Sequence, residues 1–421
     1  MLKPRHIYTA LLWLLLPYVF IHLFWRARKQ PEYLQHIAER FGFYSIKSNS
    51  YIIWLHTVSV GETRAAASLV QRLQTTYPDH QILLTHTTPT GREASEQLYG
   101  DRVLRVYLPY DYPFAVRRFL RHFKPRVGVL LETEIWFNLI DGCHAEQVPL
   151  LLLNARLSEK SAARYARFPK LTESGLSQLS AVSAQSVEDA VRLCALGARN
   201  ISVMGNLKYD IEPPPEMLER GRQIRTLLGA DRPVFLAAST RVGEEALLLD
   251  ALKNITVQGL LTVIVPRHPQ RFEEVAALLT QRGIRFQRRS ENRPVAADTQ
   301  VVLGDSMGEM FAWYAACDIA FIGGSLLPFG GQNLIEACAV GKPVLIGPHT
   351  YNFTQASMLA VEQGAAVRVQ DANELAHTLQ KLLLQPAELM RMGTAGFAFV
   401  NANRGATDLA LAQISRAIAC T

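Results

Sequence analysis

Apolar runs of four to seven residues alternate with amphipathic stretches along most of this chain. The runs predict strands at 51–56, 81–85, 103–108, 127–132, 148–154, 181–184 and 201–204. Stretches such as 63–75 and 114–123 carry helical spacing. Strands apolar on both faces, alternating with helices, predict a parallel sheet covered on both sides. The pattern breaks at IEPPPEMLERG (211–221), where three consecutive prolines predict a stiff hinge. It restarts at 233–238, 261–266, 300–304, 318–323 and 343–347. The expected fold class is α/β, with two similar-sized doubly wound parallel-sheet domains facing across a cleft. The expected division is an anchor at 1–30, α/β domains at 31–212 and 213–407, and a final helix at 408–421 returning to the first domain. A chain of 421 residues is long enough for two cores.

The amino terminus breaks the rhythm. Tyr8 to Trp25 carries no formal charge, with Lys3 and Arg5 before it and Arg26, Arg28 and Lys29 after it. No small-residue cleavage site follows, so a secretory signal does not fit. A full span needs about 20 apolar residues, and Pro17 and His22 weaken this one. Basic flanks and aromatic ends fit an interfacial helix. Membrane attachment is expected, as a short span or as an in-plane helix.

Composition narrows the function classes. Hydrophobic residues make up 49% and charged residues 19%, which excludes a disordered chain. The net charge of +7 suits an anionic membrane surface or an anionic substrate. No nucleic-acid motif or aromatic-basic platform is present, so no nucleic-acid partner is expected. The five cysteines are scattered without a CxxC pair, and the histidines lack ligand spacing. A reducing compartment and no metal site are expected.

The chemistry gathers after strands. In 322–348, Gly323 and Gly324 close a strand, and Gly330 and Gly331 permit close backbone approach. Asn333 is expected to open a helix that carries Glu336 one turn in. A helix start suits a phosphate, and the carboxylate can reach ribose hydroxyls. Ser239, Thr240 and Arg241 follow one strand, and Arg267, His268 and Arg271 the next; these basic loops predict an anion site. GDSMGEM (304–310) adds a small-residue turn. No P-loop and no acidic metal-holding pair appear, so kinase chemistry is disfavoured. In the first half, Ser59–Gly61 form a tight turn that sets Glu62 at a helix start. The helix dipole there is expected to stabilise its anion, and a plain capping role fits equally. Glu132 and Glu134 end the fourth strand and are expected to share a face, either solvated or paired. Lys208 and Asp210 follow the last strand, at the hinge.

The strings HTVSVGET, LPYDYP, ETEIWFN, NARLS, GNLKYD, PRHPQRF, GDSMGE, GGSL and GGQNLIEA occur in this order. Together they resemble the 3-deoxy-D-manno-octulosonic acid (Kdo) transferases of Gram-negative lipopolysaccharide biosynthesis, over nearly the whole chain. The resemblance implies a GT-B fold and CMP-Kdo as donor. It also implies lipid IVA, a phosphorylated and acylated glucosamine disaccharide, as acceptor. It places the enzyme on the cytoplasmic side of the inner membrane, with no cofactor beyond the donor and no metal. Carried over by residue, Glu62 would be the general base, and Glu132 and Lys208 would support the transition state. Pro266, Arg267, His268, Met307, Gly308, Glu309, Gly324, Ser325, Asn333, Leu334, Ile335 and Glu336 would bind the nucleotide. Phe137, Gln332 and Arg241 depart from the family pattern. A single base without a nucleophile implies inversion. A nucleotide-sugar epimerase of the same fold, or a non-catalytic membrane-tethered sugar-binding protein, are the competing readings.

Overall fold

A computed structural model describes residues 4–28, 30–48 and 50–420. The flanking Lys3 and Lys29 lie outside the described residues. The chain forms two compact units, one from Met1–Asp210 with Arg404–Thr421 and one from Ile211–Asn403.

The first unit is built on seven parallel strands: β1 (Tyr51–His56), β2 (His80–His86), β3 (Leu104–Tyr107), β4 (Val127–Leu131), β5 (Leu150–Ala155), β6 (Ala181–Ala184) and β7 (Ile201–Val203). Their order is β3-β2-β1-β4-β5-β6-β7. Neighbours are parallel throughout. Alternate residues of β1 feed opposite cores: Trp54 packs with Phe119 and Leu120, while Ile53 and Leu55 pack with Leu69, Leu73 and Ile414. Gly128 in β4 is required by this packing, because a Cβ there would lie 2.6 Å from the Trp54 ring. The predicted helix at 63–75 is two, Val60–Ala65 and Ala67–Thr76. The chain's last helix, Ala406–Ala419, covers one sheet face through Ala410 and Ile414. Asp210 caps its start, accepting from Gly405 N at 2.7 Å and from Thr407 N.

The second unit also has seven parallel strands: β8 (Val234–Thr240), β9 (Leu261–Pro266), β10 (Phe286–Arg288), β11 (Val301–Leu303), β12 (Ile319–Ile322), β13 (Val344–Ile346) and β14 (Ala366–Arg368). Their order is β10-β11-β9-β8-β12-β13-β14. The edge strands β10 and β14 are not among those expected from the sequence. Each is three residues long and ends in arginine, too short for a periodicity to register. The proline run is a shorter spacer than expected, since Pro215 is already the first residue of the Pro215–Leu228 helix.

In both sheets the winding reverses once, between β1 and β4 and between β8 and β12. Loops leaving these neighbouring strands go opposite ways and open a crevice at the carboxyl ends.

The apolar amino-terminal segment is a 24-residue helix, Pro4–Ala27, whose most apolar 18 residues have mean hydropathy 1.9 and are 6% buried. It does not project freely. Arg5 pairs with Asp141 at 2.5 Å, Tyr8 donates to Asp111 at 2.8 Å and Thr9 to Asn138 at 2.9 Å. Trp13 packs on Tyr112, Phe20 stacks on Phe41, and Leu23 is buried. The other side exposes Leu11, Leu14, Ile21 and Phe24, with Leu14 at 77%.

Asp210→Ala removes both cap bonds of the last helix. We expect it to cost about 1 kcal/mol, seen as a lower melting midpoint and faster proteolysis of 404–421. An unchanged melt and digestion pattern would contradict the capping role.

Candidate active site

Glu62 lies in the third position of the Val60–Ala65 helix, which starts where β1 ends. Ser59 caps this helix through its Oγ, which accepts from Glu62 N at 3.3 Å. The Glu62 carboxylate reaches back: Oε2 accepts from Val58 N at 2.6 Å and Oε1 from Ser59 Oγ at 3.0 Å. The reach is one residue beyond that of a capping box, to the N–H before the N-cap, and the bland capping role is real. It also fixes the carboxylate at the β1–β4 crevice. The expected stabilisation of its anion is overturned. Glu62 is only 9% exposed. Burial first, then the charge of Glu132, push its carboxyl up to about 7, and the bonds from Val58 and Ser59 only partly offset them.

Across the same winding reversal, Glu132 follows β4 in a left-handed conformation, φ +61°. Strand alternation therefore ends at Leu131, and the expected shared face of Glu132 and Glu134 does not form. Glu132 Oε1 instead pairs with Lys208 Nζ at 3.2 Å. Glu134 accepts from Trp136 Nε1 at 2.6 Å. Burial, together with Glu62 and Glu132, raises its carboxyl to about 7. His56 lies 4.0 Å from Glu134 but is fully buried, which lowers its pKa to about 3. It is therefore neutral, and the contact is not an ion pair. Glu62 and Glu134 are thus both held near 7, with the charge of Glu132 acting on each.

Asn154 positions Lys208. It too has a positive φ, 54°, at a register shift near the end of β5. Its Oδ1 accepts from Leu207 N at 3.1 Å, and Asn206 Oδ1 accepts from Lys208 N at 3.0 Å. The signal for Asn154 was present in the NARLS string but had no role attached to it.

In the second unit the loops after β8, β9 and β12 converge. Gly324, at φ +71°, donates its N–H to Glu244 Oε2 at 2.6 Å. Arg241 N and Leu326 N donate to the same carboxylate at 2.9 and 3.0 Å. Glu244, fully buried, therefore ties the β8 loop to the β12 loop. Gly323 lets these strand ends meet, since a Cβ would lie 2.5 Å from Ser239 O. Arg267 Nε donates to Gln332 Oε1 at 3.1 Å. Arg241 stacks over Phe329 at 4.8 Å and donates to His268 Nε2 at 2.9 Å. Burial and three nearby arginines hold His268 below its ordinary pKa, so its Nε2 is free to accept.

The other expected residues separate by accessible chemistry. Met307 and Gly308 are exposed, Gly308 with φ +80°. Glu309 is buried among Arg220 at 2.9 Å, Arg289 at 3.2 Å and Ser306. Asn333 precedes its helix instead of opening it: the helix is Ile335–Ala339. Asn333 Oδ1 accepts from Ile335 N, and its Nδ2 donates to Glu336 Oε1, both at 3.1 Å. Leu334 and Ile335 are buried, and Ile335 N is already bonded to Asn333 Oδ1. The buried Ser325 hydroxyl is committed to Ile322 O and Gly347 N. Pro266 is the buried last residue of β9. Arg271 leaves the expected anion site. It is 7% exposed and bidentate to the buried Glu245, with a further bond to Glu274.

Residues 35–211 match the family described as 3-Deoxy-D-manno-octulosonic-acid transferase (kdotransferase), and residues 280–399 match Glycosyl transferases group 1. A 3-deoxy-D-manno-octulosonic acid transferase of Haemophilus influenzae is 39% identical over 409 residues, 96% of each chain. One from Bordetella pertussis is 40% identical over 419 residues, 96% of this chain and 97% of its own. The chain belongs to the Kdo transferase family. This Kdo transferase also resembles a glycosyltransferase structure from Rickettsia africae, with TM-score 0.58 and 15% identity over 88% of this chain and 99% of the other. At that identity the likeness shows the fold alone, the two-sheet GT-B architecture.

The three departures from the family pattern have places in the transferase. Gln332 holds Arg267, and Arg241 joins His268 to Phe329. Phe137 meets Tyr8 of the amino-terminal helix edge-on at 5.3 Å.

The raised carboxyls of Glu62 and Glu134 carry a stability signature. Both lie near 7 when folded, against 4.5 ordinarily. Their contribution is fully present below about 4.5 and is lost as pH rises through about 7. We expect Glu62→Gln to melt increasingly above wild type across that window. Melting curves that run parallel over the same pH range would refute the burial effect.

Proposed function

We propose that this Kdo transferase moves Kdo from CMP-Kdo to lipid IVA with inversion, Glu62 acting as general base. The observation that carries the reading is the Glu62 carboxyl: rigidly held, nearly buried and poised at about 7. A base is most effective with a pKa near the working pH. Glu62 takes the proton from the acceptor hydroxyl as its oxygen attacks the anomeric carbon of Kdo, and the bond from that carbon to the CMP phosphate breaks. The transition state is oxocarbenium-like, by analogy with glycoside cleavage. The Lys208–Glu132 pair supports it electrostatically. CMP leaves as a phosphate monoester, its charge met by Arg241 and Arg267. Glu336, oriented by Asn333, is assigned to the ribose. One base and no nucleophile give inversion.

No cofactor beyond the donor and no metal enter this proposal. The phosphate charge is assigned to the cationic groups already named. The amino-terminal helix holds the enzyme on the cytoplasmic face of the inner membrane, lying in the interface. Its contacts with the first unit from Arg5 to Leu23, and its exposed apolar side, support that orientation. The +7 charge favours anionic lipid and anionic substrates.

Mass spectrometry of products from CMP-Kdo and lipid IVA tests the reaction. Glu62→Gln is expected to lower kcat by about 10²–10⁴ with the donor KM held. Wild-type kcat/KM should rise through about pH 7 to a plateau. Near-wild-type turnover by Glu62→Gln would reject the base, and loss of activity with a chelator would reject metal independence. For the membrane, replacing both Leu14 and Ile21 with Glu should abolish co-sedimentation with anionic vesicles. Retained binding would move the anchor elsewhere.

A further inference from the structure

Within the first unit, a cavity of about 270 Å³ lies between the amino-terminal helix and the body. Tyr18, His22 and Arg26 line it from the helix, and Arg40, Thr88 and Trp136 from the body. Arg40 is the unusual member. It is 4% exposed, and both terminal nitrogens donate to Thr87 O at 3.2 Å. Its guanidinium lies 4.0 Å over the Tyr107 ring. Its Nε has no hydrogen-bond partner, and among the described residues no carboxylate pairs with it. The adjacent Glu39 is committed elsewhere, to Tyr107 N at 2.7 Å and to Arg92 at 2.9 Å. A buried cation without a counter-ion is strongly unfavourable, so the site calls for an anion. Arg26, exposed at the rim beside Tyr33, supplies a second guanidinium.

The surroundings say what carries that anion. The helix that forms one wall exposes Leu14, Ile21 and Phe24 on its outer side, where acyl chains belong. The opposite wall adjoins the carboxylate group. Thr88 Oγ1 donates at 2.9 Å to the carbonyl of Val58, whose N–H holds Glu62. Trp136 donates to Glu134. We infer that the cavity is a subsite for a phosphomonoester borne by the acylated acceptor sugar, held by Arg40 and Arg26. The phosphate sits between the acyl chains at the helix and the reacting hydroxyl at Glu62. Guanidinium groups suit this ligand because they bind phosphate oxygens in pairs. The inference rests on the acceptor being the phosphorylated lipid proposed above.

The test compares full-length wild type, Arg26→Gln and Arg40→Lys on three acceptors: the bisphosphorylated lipid and the two monophosphorylated forms. Arg26→Gln is expected to raise KM for the bisphosphorylated acceptor about tenfold while the donor KM holds. On the monophosphorylated acceptor that lacks the bound phosphate, variant and wild type should have equal KM. Arg40→Lys should show the same selectivity. If it fails to fold, Arg26→Gln, on the exposed rim, decides alone. An equal loss on all three acceptors, or no loss, overturns the subsite and leaves the transfer reaction standing. No transfer by wild type to any acceptor overturns the reaction and the subsite together. Inorganic phosphate and phosphatidylglycerol vesicles complete the test. If either raises the acceptor KM of wild type but not of Arg26→Gln, the cavity holds phosphate of any source and the acceptor assignment falls.

Discussion

The geometry of this transferase depends on where each parallel sheet reverses its winding. A crossover between parallel strands returns over one face, so all loops of a kind leave the same edge. Only where the direction changes do two neighbouring strands send their loops apart. In the first sheet that place is β1 beside β4, and it holds Glu62, Glu132 and Glu134. In the second it is β8 beside β12, and it holds Arg241 and Gly324. Backbone irregularities fall along the same edges. Glu132, Asn154 and Ser239 all have positive φ at or just beyond a strand's end. Such conformations cost about 1–3 kcal/mol each, and the packed sheets hold them in place.

Two kinds of electrostatics follow. The first unit crowds carboxylates, with Lys208 paired to one of them, so burial and mutual repulsion raise carboxyl pKa values. That holds the Glu62 and Glu134 carboxyls near neutrality. The second unit gathers arginines and main-chain donors and pins them with buried carboxylates. Glu244 ties two loops, Glu245 locks Arg271 and Glu309 neutralises Arg220 and Arg289. Arg241 is held instead by His268 and Phe329, and Arg267 by Gln332.

The amino-terminal helix belongs to the same design. Asp111 accepts from Asn138 N and Leu139 N at the start of one helix and from Tyr8 of another. One buried carboxylate thus joins the apolar amino-terminal helix to the body, beside the ETEIWFN segment. Phe137, a departure from the family pattern, completes that contact.

Much of this was legible in the sequence. Apolar runs marked twelve of the fourteen strands because a strand buried on both faces has no choice of residue. Glycines, motif strings and the uncharged segment at Tyr8–Trp25 marked the loops, the family and the apolar amino-terminal helix, because backbone freedom and hydropathy are local properties. The sequence could not show which strand ends are neighbours, and so which charges meet. Glu62 read as an anion stabilised by a helix, and became a carboxyl near 7 only once the fold buried it and set Glu132 beside it. Arg271 read as an anion site until Glu245 filled it. Arg40 gave no signal at all, because an uncompensated charge is defined by what surrounds it. Periodicity is written residue by residue. Electrostatic environment is set by chain segments far apart in sequence, and only the packed sheets bring them together.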